Sequence, residues 1–291
     1  MHWTERRRRF RAILDGNRCV HPASVFDPIS ARIAEDLGFE LGMFAGSVAS
    51  LAVLGAPDII LLTLSEFAAQ AYRIGRAGNL PLLVDADHGY GNALNVMRSV
   101  DELETAGVAA LTIEDTELPA AFGADKARLV SIDEGVGKLR AAIAARQDPD
   151  LVVVGRTAAT SLTGIADAVA RAKAYAATGV DALFFVGVKK RAELDAIAGA
   201  VSVPIILGGA GAELEDAEYL ATRGVRIALQ GHVPIMASVR AVYDTLKALR
   251  SGAKPASIAA IASAELMEQV TRDRAYKRWA EAFLKPAGQR P

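Results

Sequence analysis

The 291 residues carry 33 basic and 34 acidic side chains, a formal net charge of -1, so no global field favours nucleic acid or an anionic membrane surface. Hydrophobic residues make up 52% and charged residues 23%, a composition that buries a large core and excludes extensive disorder. One cysteine, Cys19, excludes an intramolecular disulfide and a multi-cysteine metal cage; with no apolar leader and no uncharged apolar run of about 18 residues, the expectation is a cytoplasmic protein with no membrane partner.

In chain order, the first element is an amphipathic helix over 5–15, where Phe10, Ile13 and Leu14 form an apolar stripe and Arg6-Arg7-Arg8-Arg9 is expected on a solvated face. One phrase then recurs: a helical pattern closes at glycine and a short apolar run comes next. Leu37-Gly38 precedes 39–45, Ala77-Gly78 precedes 81–84, Ala106-Gly107 precedes 109–113, Thr178-Gly179 precedes 182–186, and Arg223-Gly224 precedes 226–229. Glycine after a helix takes the left-handed conformation without a Cβ penalty, so each phrase marks a helix end and entry into a strand. Apolar runs at 20–25, 151–154 and 204–207 bring the predicted strands to eight, and amphipathic segments at 64–76, 95–105, 133–145 and 166–177 alternate with them.

The strands are near-continuous Val, Ile, Leu and Ala, the pattern of a parallel sheet covered on both faces. Eight βα units imply a (β/α)8 TIM-type barrel over 1–250. A doubly wound open sheet is the alternative, but its glycine-rich nucleotide fingerprint is absent after the first strand. Beyond a helix at 241–250, Ser251-Gly252-Ala253-Lys254-Pro255 breaks the pattern, and additional C-terminal helices over 258–284 occupy a second region, 251–291. Its apolar positions Ile261, Leu266, Val270, Trp279 and Phe283 need a surface to cover, either on the same barrel or on a neighbouring subunit.

In such a barrel the active site lies at the C-terminal ends of the strands, which directs attention to polar residues just after each apolar run. These are Gly46 and Ser47 after strand two, Asp85, Asp87 and His88 after strand three, Glu114 and Asp115 after strand four, Arg156 after strand five, and Gln230 and His232 after strand eight. Asp85 and Asp87 are two residues apart and share a face if the strand continues through them; Glu114 approaches from the adjacent strand. Three carboxylates there repel one another unless a cation is present. Oxygen-only donors favour Mg²⁺, with Mn²⁺ as the alternative, and Mg²⁺ keeps several waters, so Asp85 is expected as the one direct ligand, with Asp87 and Glu114 holding metal-bound water. Each acid taken alone is equally a helix cap or turn residue. Arg156 can fork onto a substrate carboxylate or make a surface ion pair. Ser47 can offer hydroxyl and backbone donors to the same anion or cap the next helix. His232 is a substrate-binding or proton-relaying candidate, or a structural histidine. His88 points away from Asp87 by alternation and is expected to be structural.

Together, Ser24-Val25-Phe26-Asp27-Pro28-Ile29-Ser30-Ala31, Gly46-Ser47, Asp85-Ala86-Asp87-His88-Gly89-Tyr90-Gly91-Asn92 and Ile113-Glu114-Asp115, in this order, resemble the phosphoenolpyruvate mutase/isocitrate lyase superfamily. The stretches 24–28, 46–51, 85–98 and Gly231-His232 are most similar to its bacterial oxaloacetate decarboxylase branch. The resemblance implies a Mg²⁺-bound α-keto carboxylate, an enolate intermediate, and homotetramers that exchange their C-terminal helices, a role for the 251–291 region. It also implies that Ser47 binds substrate, Asp85 the metal, and Arg156 and His232 substrate oxygens. The lyases of the superfamily carry Lys-Lys-Cys-Gly-His after strand four, with the cysteine as acid; here the segment is Leu118-Pro119-Ala120-Ala121-Phe122-Gly123. The mutase's Asp-Ser-Asn appears as Asp58-Ile59-Ile60. The expected activity is therefore Mg²⁺-dependent decarboxylation of oxaloacetate or a close β-keto acid, with Arg156 and His232 as catalytic candidates. The rivals are a carbon–carbon or carbon–phosphorus bond hydrolase, a 2-methylisocitrate lyase-like enzyme, and a catalytically silent metabolite-binding barrel.

Overall fold

The computed structural model describes residues 3–285. They group into two compact units that divide at Val233. In the first, helix α1 (Trp3–Leu14) precedes β1 (Ala23–Ser24), α2 (Pro28–Asp36), β2 (Gly42–Phe44), α3 (Gly46–Ala49), α4 (Leu64–Gly75), β3 (Leu82–Asp85), α5 (Ala93–Thr105) and β4 (Ala110–Glu114). Next come α6 (Ile132–Ala145), β5 (Val152–Thr157), α7 (Ala159–Leu162), α8 (Ile165–Ala176), β6 (Ala182–Val186), α9 (Arg191–Ala198), β7 (Ile205–Gly208), α10 (Ala217–Thr222) and β8 (Val225–Ala228).

All eight strands are parallel and lie in sequence order. Val20 pairs in parallel with Ile227, its N–H donating to Arg226 O at 2.9 Å while Ala228 N–H donates to Val20 O at 3.0 Å, which carries the ladder from the last strand back to the first. The expected TIM-type barrel is thus realised. Its first two strands are shorter than the apolar runs, since only Ala23–Ser24 of 20–25 and Gly42–Phe44 of 39–45 are strand, whereas β5 extends beyond 151–154 to Thr157. Leu83, Leu111, Val153, Leu183 and Ile206 are fully enclosed or nearly so, and the helices cover the outer face.

Helix starts obey local hydrogen-bond chemistry. Asp27 caps α2 with Ser30 reciprocating and Pro28 in the first turn, and Thr63 caps α4 with Glu66. Asn92 caps α5, accepting from Leu94 N at 2.9 Å, so the amide that ends the Asp85–Asn92 stretch serves the helix. Of the five helix-ending glycines, Gly38, Gly107, Gly179 and Gly224 have positive φ, as expected. Gly78 does not: a Cβ there would meet the Glu35 carboxylate at 2.0 Å, so the residue is glycine for space.

The arginine run of α1 departs from expectation. Arg6 and Arg7 are each only 4% exposed. Arg6 donates to the carbonyls of Gly75 and Gly78, and Arg7 to Val108 O at 3.1 Å, Glu104 O at 2.7 Å and Asp148 Oδ2 at 2.7 Å. Both guanidiniums satisfy carbonyls at helix ends and strand entries, a use that periodicity alone does not reveal. Arg8 and Arg9 remain on the solvated face.

Behind β4, Asp115 Oδ2 accepts from Arg171 Nη1 at 2.9 Å and Tyr175 Oη at 2.8 Å, and Arg171 also donates to Val130 O at 3.0 Å. Thr116 and Leu129 pair, so this buried network holds both ends of the segment 117–128. Alanine at Gly135 would place its Cβ 2.4 Å from Tyr175 Oη and 2.8 Å from its ring. Helix propensity favours that change by about 1 kcal/mol, but overpacking a pinned tyrosine costs about 1–3 kcal/mol. Gly135→Ala is therefore expected to lower the midpoint of denaturant unfolding; an unchanged or higher midpoint would show that the network yields freely.

The second unit contains α11 (Val233–Arg250), a 3-10 turn (Pro255–Ser257), α12 (Ala264–Thr271) and α13 (Asp273–Leu284). α11 runs unbroken from Val233 to Arg250, and from Pro234 onward it groups with α12 and α13. The helices expected over 258–284 are two, separated at Arg272, whose φ of 62° ends the first. Val239, Val242, Tyr243, Leu246, Trp279 and Phe283 are all more than half exposed.

Candidate metal and α-keto acid site

Asp85 ends β3, Glu114 ends β4 and Arg156 lies near the end of β5, at the same mouth of the barrel. The register pairs Asp85 with Thr112 and Glu114 with Arg156. Arg156 Nη1 donates to Asp85 Oδ2, and Nη2 lies 3.2 Å from Glu114 Oε2. The other Asp85 oxygen accepts from Thr112 Oγ1 at 2.9 Å and from Asp87 N–H at 3.2 Å. Asp85 is thus fixed at both oxygens, with its side chain 11% exposed.

Asp87 arrives by a different route from the one expected. The strand ends at Asp85, and Asp87 takes φ 48°, a left-handed conformation that aspartate tolerates better than most residues. Its carbonyl accepts from Glu114 N–H at 2.8 Å, which ties the turn to β4. Its carboxylate packs against Gly46, where a Cβ would stand 2.8 Å from Oδ1; any larger residue there would displace the acid. Ser47 is the second residue of α3, and the cap position is Ala45. The serine hydroxyl is therefore not spent on capping, and it stands half-buried at a helix start, next in sequence to the glycine that Asp87 touches.

Burial and crowding of like charge push the Asp87 carboxyl up to about 9, with Asp85, Glu114 and Asp58 all contributing. Burial also raises Glu114 to about 7, against the pull of Arg156. Burial disfavours the charged guanidinium of Arg156, but Asp85, Glu114 and Asp87 outweigh it and hold it above its usual range. Four carboxylates thus share one guanidinium. Among the described residues no three acids or histidines converge as a ready-made chelate. Such a cage is not what Mg²⁺ requires, since it takes one or two direct carboxylates and keeps its waters. The donors fit a hard divalent cation: all are oxygens, one is rigidly held, and the surplus negative charge lacks a partner.

His232 sits in the turn after β8, and its Nδ1 lies 2.9 Å from Ser24 Oγ at the end of β1. Burial lowers the imidazole below its ordinary range, opposed by Asp85 and Asp58. His88 is 5% exposed, with Nδ1 lacking a partner among the described residues, and burial beside Lys138 pushes it down to about 4; it is a neutral, packed residue, as expected.

Four residues went unread as site components: Ser24, Asp58, Thr112 and Phe184. Thr112 interrupts the apolar run of β4, which is the one signal it gave. Phe184 lies under the guanidinium of Arg156, 5.5 Å from ring centroid to Cζ, and Gly208 leaves room for that ring. Asp58 had only its place opposite the mutase segment. Cys19 precedes the first strand, at the opposite end of the barrel, and burial pushes its thiol up to about 11. The segment 117–128 holds neither cysteine nor histidine.

The model of the phosphoenolpyruvate phosphomutase family matches residues 10–250. An oxaloacetate decarboxylase of Bradyrhizobium diazoefficiens is 62% identical over 273 residues, 94% of this chain and 95% of that protein. A phosphonopyruvate hydrolase solved with oxalate and Mg²⁺ superposes with a TM-score of 0.84 at 31% identity, covering 96% of this chain and 99% of the other. An oxaloacetate acetylhydrolase bound to 3,3-difluorooxalacetate gives 0.85 at 25%, covering 98% and 99%. The family match over 10–250 and the 62% identity over 94% of the chain show that this chain belongs to the phosphoenolpyruvate phosphomutase family.

Proposed function

We propose that this protein is a lyase that decarboxylates oxaloacetate to pyruvate and CO₂ with the help of Mg²⁺. The observation that carries the reading is the mouth cluster, a surplus of oxygen donors around Asp85 with Arg156 pointing into the same volume, and no thiol on the neighbouring segment. Identity of 62% to an oxaloacetate decarboxylase supports it. Asp85 would hold the metal directly, with Asp87 and Glu114 acting through water; Mn²⁺ has the same donor preference. When bound, Mg²⁺ supplies Lewis acidity toward the α-keto acid oxygens and so stabilises the negative charge that develops as CO₂ leaves.

The chain's own groups do the rest. Arg156 is assigned to the substrate carboxylate, with its guanidinium orientation set by Asp85, Glu114 and the Phe184 ring. Ser47 is assigned to the same anion through its hydroxyl and the helix start. His232 is assigned to a substrate oxygen. As the bond between C3 and C4 breaks, CO₂ leaves, the electron pair moves toward the C2 oxygen, and C3 then takes a proton from solvent to give pyruvate. No base is needed, because no proton is removed from the substrate before cleavage.

We place the reaction in the cytoplasm, in keeping with one lone cysteine, and among the described residues no helix is long and apolar enough to cross a membrane. The exposed apolar side chains of α11 and α13 support a homo-oligomer, a tetramer with the C-terminal unit exchanged between subunits. Purified protein with Mg²⁺ and oxaloacetate should yield pyruvate above the metal-catalysed background. Oxalate plus acetate as products, or phosphate released from phosphonopyruvate at a higher kcat/KM, would replace decarboxylation by hydrolysis. Tight oxalate binding with no turnover would make the barrel a binding protein.

A further inference from the structure

Ser24 ends the first strand and His232 comes after the last, so their contact spans the seam at which the barrel closes. The distance between Ser24 Oγ and His232 Nδ1 is 2.9 Å, and Ser24 is 8% exposed. Among the described residues this is the one hydrogen bond of either side chain. Nε2 of His232 therefore has no protein partner there and is the nitrogen available to a ligand.

A neutral imidazole has one N–H, and the group bound to one ring nitrogen selects where that proton resides. A carboxylate at Nδ1 would draw the proton to that atom and leave Nε2 as an acceptor, the arrangement of a general base. A serine hydroxyl has a proton of its own to place. If Nδ1 donated to Oγ, the hydroxyl proton would need another acceptor, and among the described residues Oγ makes no second hydrogen bond. Donation from Oγ–H to Nδ1 satisfies both atoms with a single bond.

We infer that Ser24 is a positioning residue that holds His232 as the Nε2–H tautomer, so that the histidine meets the α-keto acid as a hydrogen-bond donor and not as a base. The inference rests on the proposed assignment of His232 to a substrate oxygen. It agrees with the chemistry: decarboxylation removes no proton from the substrate, whereas a donor aimed at an oxygen gains strength as negative charge collects there. The lowered basicity of a half-buried imidazole keeps the ring neutral, the state in which the tautomer matters.

The test uses protein labelled with ¹⁵N at histidine, with the His232 signals identified by their loss in His232→Asn. In the unaltered protein without substrate, Nε2 of His232 should give the shift of a protonated nitrogen and Nδ1 that of a bare one. Ser24→Ala should mix the two tautomers and lower kcat by about tenfold with KM for oxaloacetate within about threefold, the split expected of a contact that strengthens only in the transition state. Ser24→Thr, which keeps the hydroxyl, should restore both readouts. A bare Nε2 in the unaltered protein overturns the inference, and so does Ser24→Ala with unchanged tautomer and kcat in a folded protein. Because the spectra are recorded without turnover, an Nε2–H His232 in a protein inert toward oxaloacetate would sink the decarboxylase reading and leave the Ser24 assignment standing.

Discussion

Asp85→Ala should abolish pyruvate formation above the metal-catalysed background, a loss of at least about a thousandfold, in a protein that still folds. Asp85 is the acid of the mouth that the backbone and its neighbours hold most rigidly: Oδ1 is fixed by Thr112 and the Asp87 N–H, and Oδ2 faces Arg156. Charge stabilisation by a bound divalent ion is worth several kcal/mol, and each 1.36 kcal/mol is a factor of about ten, which sets the size of the loss. Calorimetric titration with Mg²⁺ should show binding to the unaltered protein and none to Asp85→Ala. Thr112→Val removes only the hydroxyl that orients the ligand, and should weaken Mg²⁺ by about tenfold, at the lower end for an outer partner of a metal ligand. Stripping the unaltered protein with a chelator should silence it, with Mg²⁺ or Mn²⁺ restoring activity. Turnover by Asp85→Ala within tenfold of the unaltered protein would remove Asp85 from the metal.

The barrel was legible because each helix–glycine–strand phrase is a local signal, and a chain of eight apolar runs alternating with amphipathic segments leaves little choice of architecture. Asp85, Glu114 and Arg156 were legible for the same reason: strand ends at one mouth are a consequence of the fold, and the register that pairs Glu114 with Arg156 then brings them into contact. What escaped depended on backbone or on distance in sequence. Alternation was expected to carry Asp87 to the Asp85 side, yet the strand stops and a left-handed residue makes the turn. Ser24 and His232 meet only because the barrel closes, and no local pattern links residues so far apart. Arg6 and Arg7 read as surface because charge usually is; their burial is decided by carbonyls of Gly75, Gly78, Glu104 and Val108, which the sequence shows only as backbone. Phe184 reads as barrel filling, and its place beneath a guanidinium depends on a glycine in the next strand.

Arg156 should separate charge from shape. Arg156→Lys keeps a cation, but a single ammonium cannot span Asp85 and Glu114 as the two Nη atoms do, nor stack on Phe184 in the same manner. The variant should fold normally and lose about 10²–10³ in kcat/KM, the scale for losing one aligned donor at a site of developing charge. Arg156→Leu goes further, leaving the acids of the mouth with no cation from the protein. Removing one partner of a buried pair costs about 3–5 kcal/mol, so its unfolding midpoint in denaturant should fall steeply when metal is absent. Mg²⁺ should recover part of that loss in Arg156→Leu and little or none in Arg156→Leu combined with Asp85→Ala, since binding to the folded state stabilises it only if the ligand remains. Full activity in Arg156→Lys would mean that the positive charge alone is used, and that the fork between Asp85 and Glu114 is architecture. Equal Mg²⁺ rescue in the single and double variants would place the metal somewhere other than Asp85.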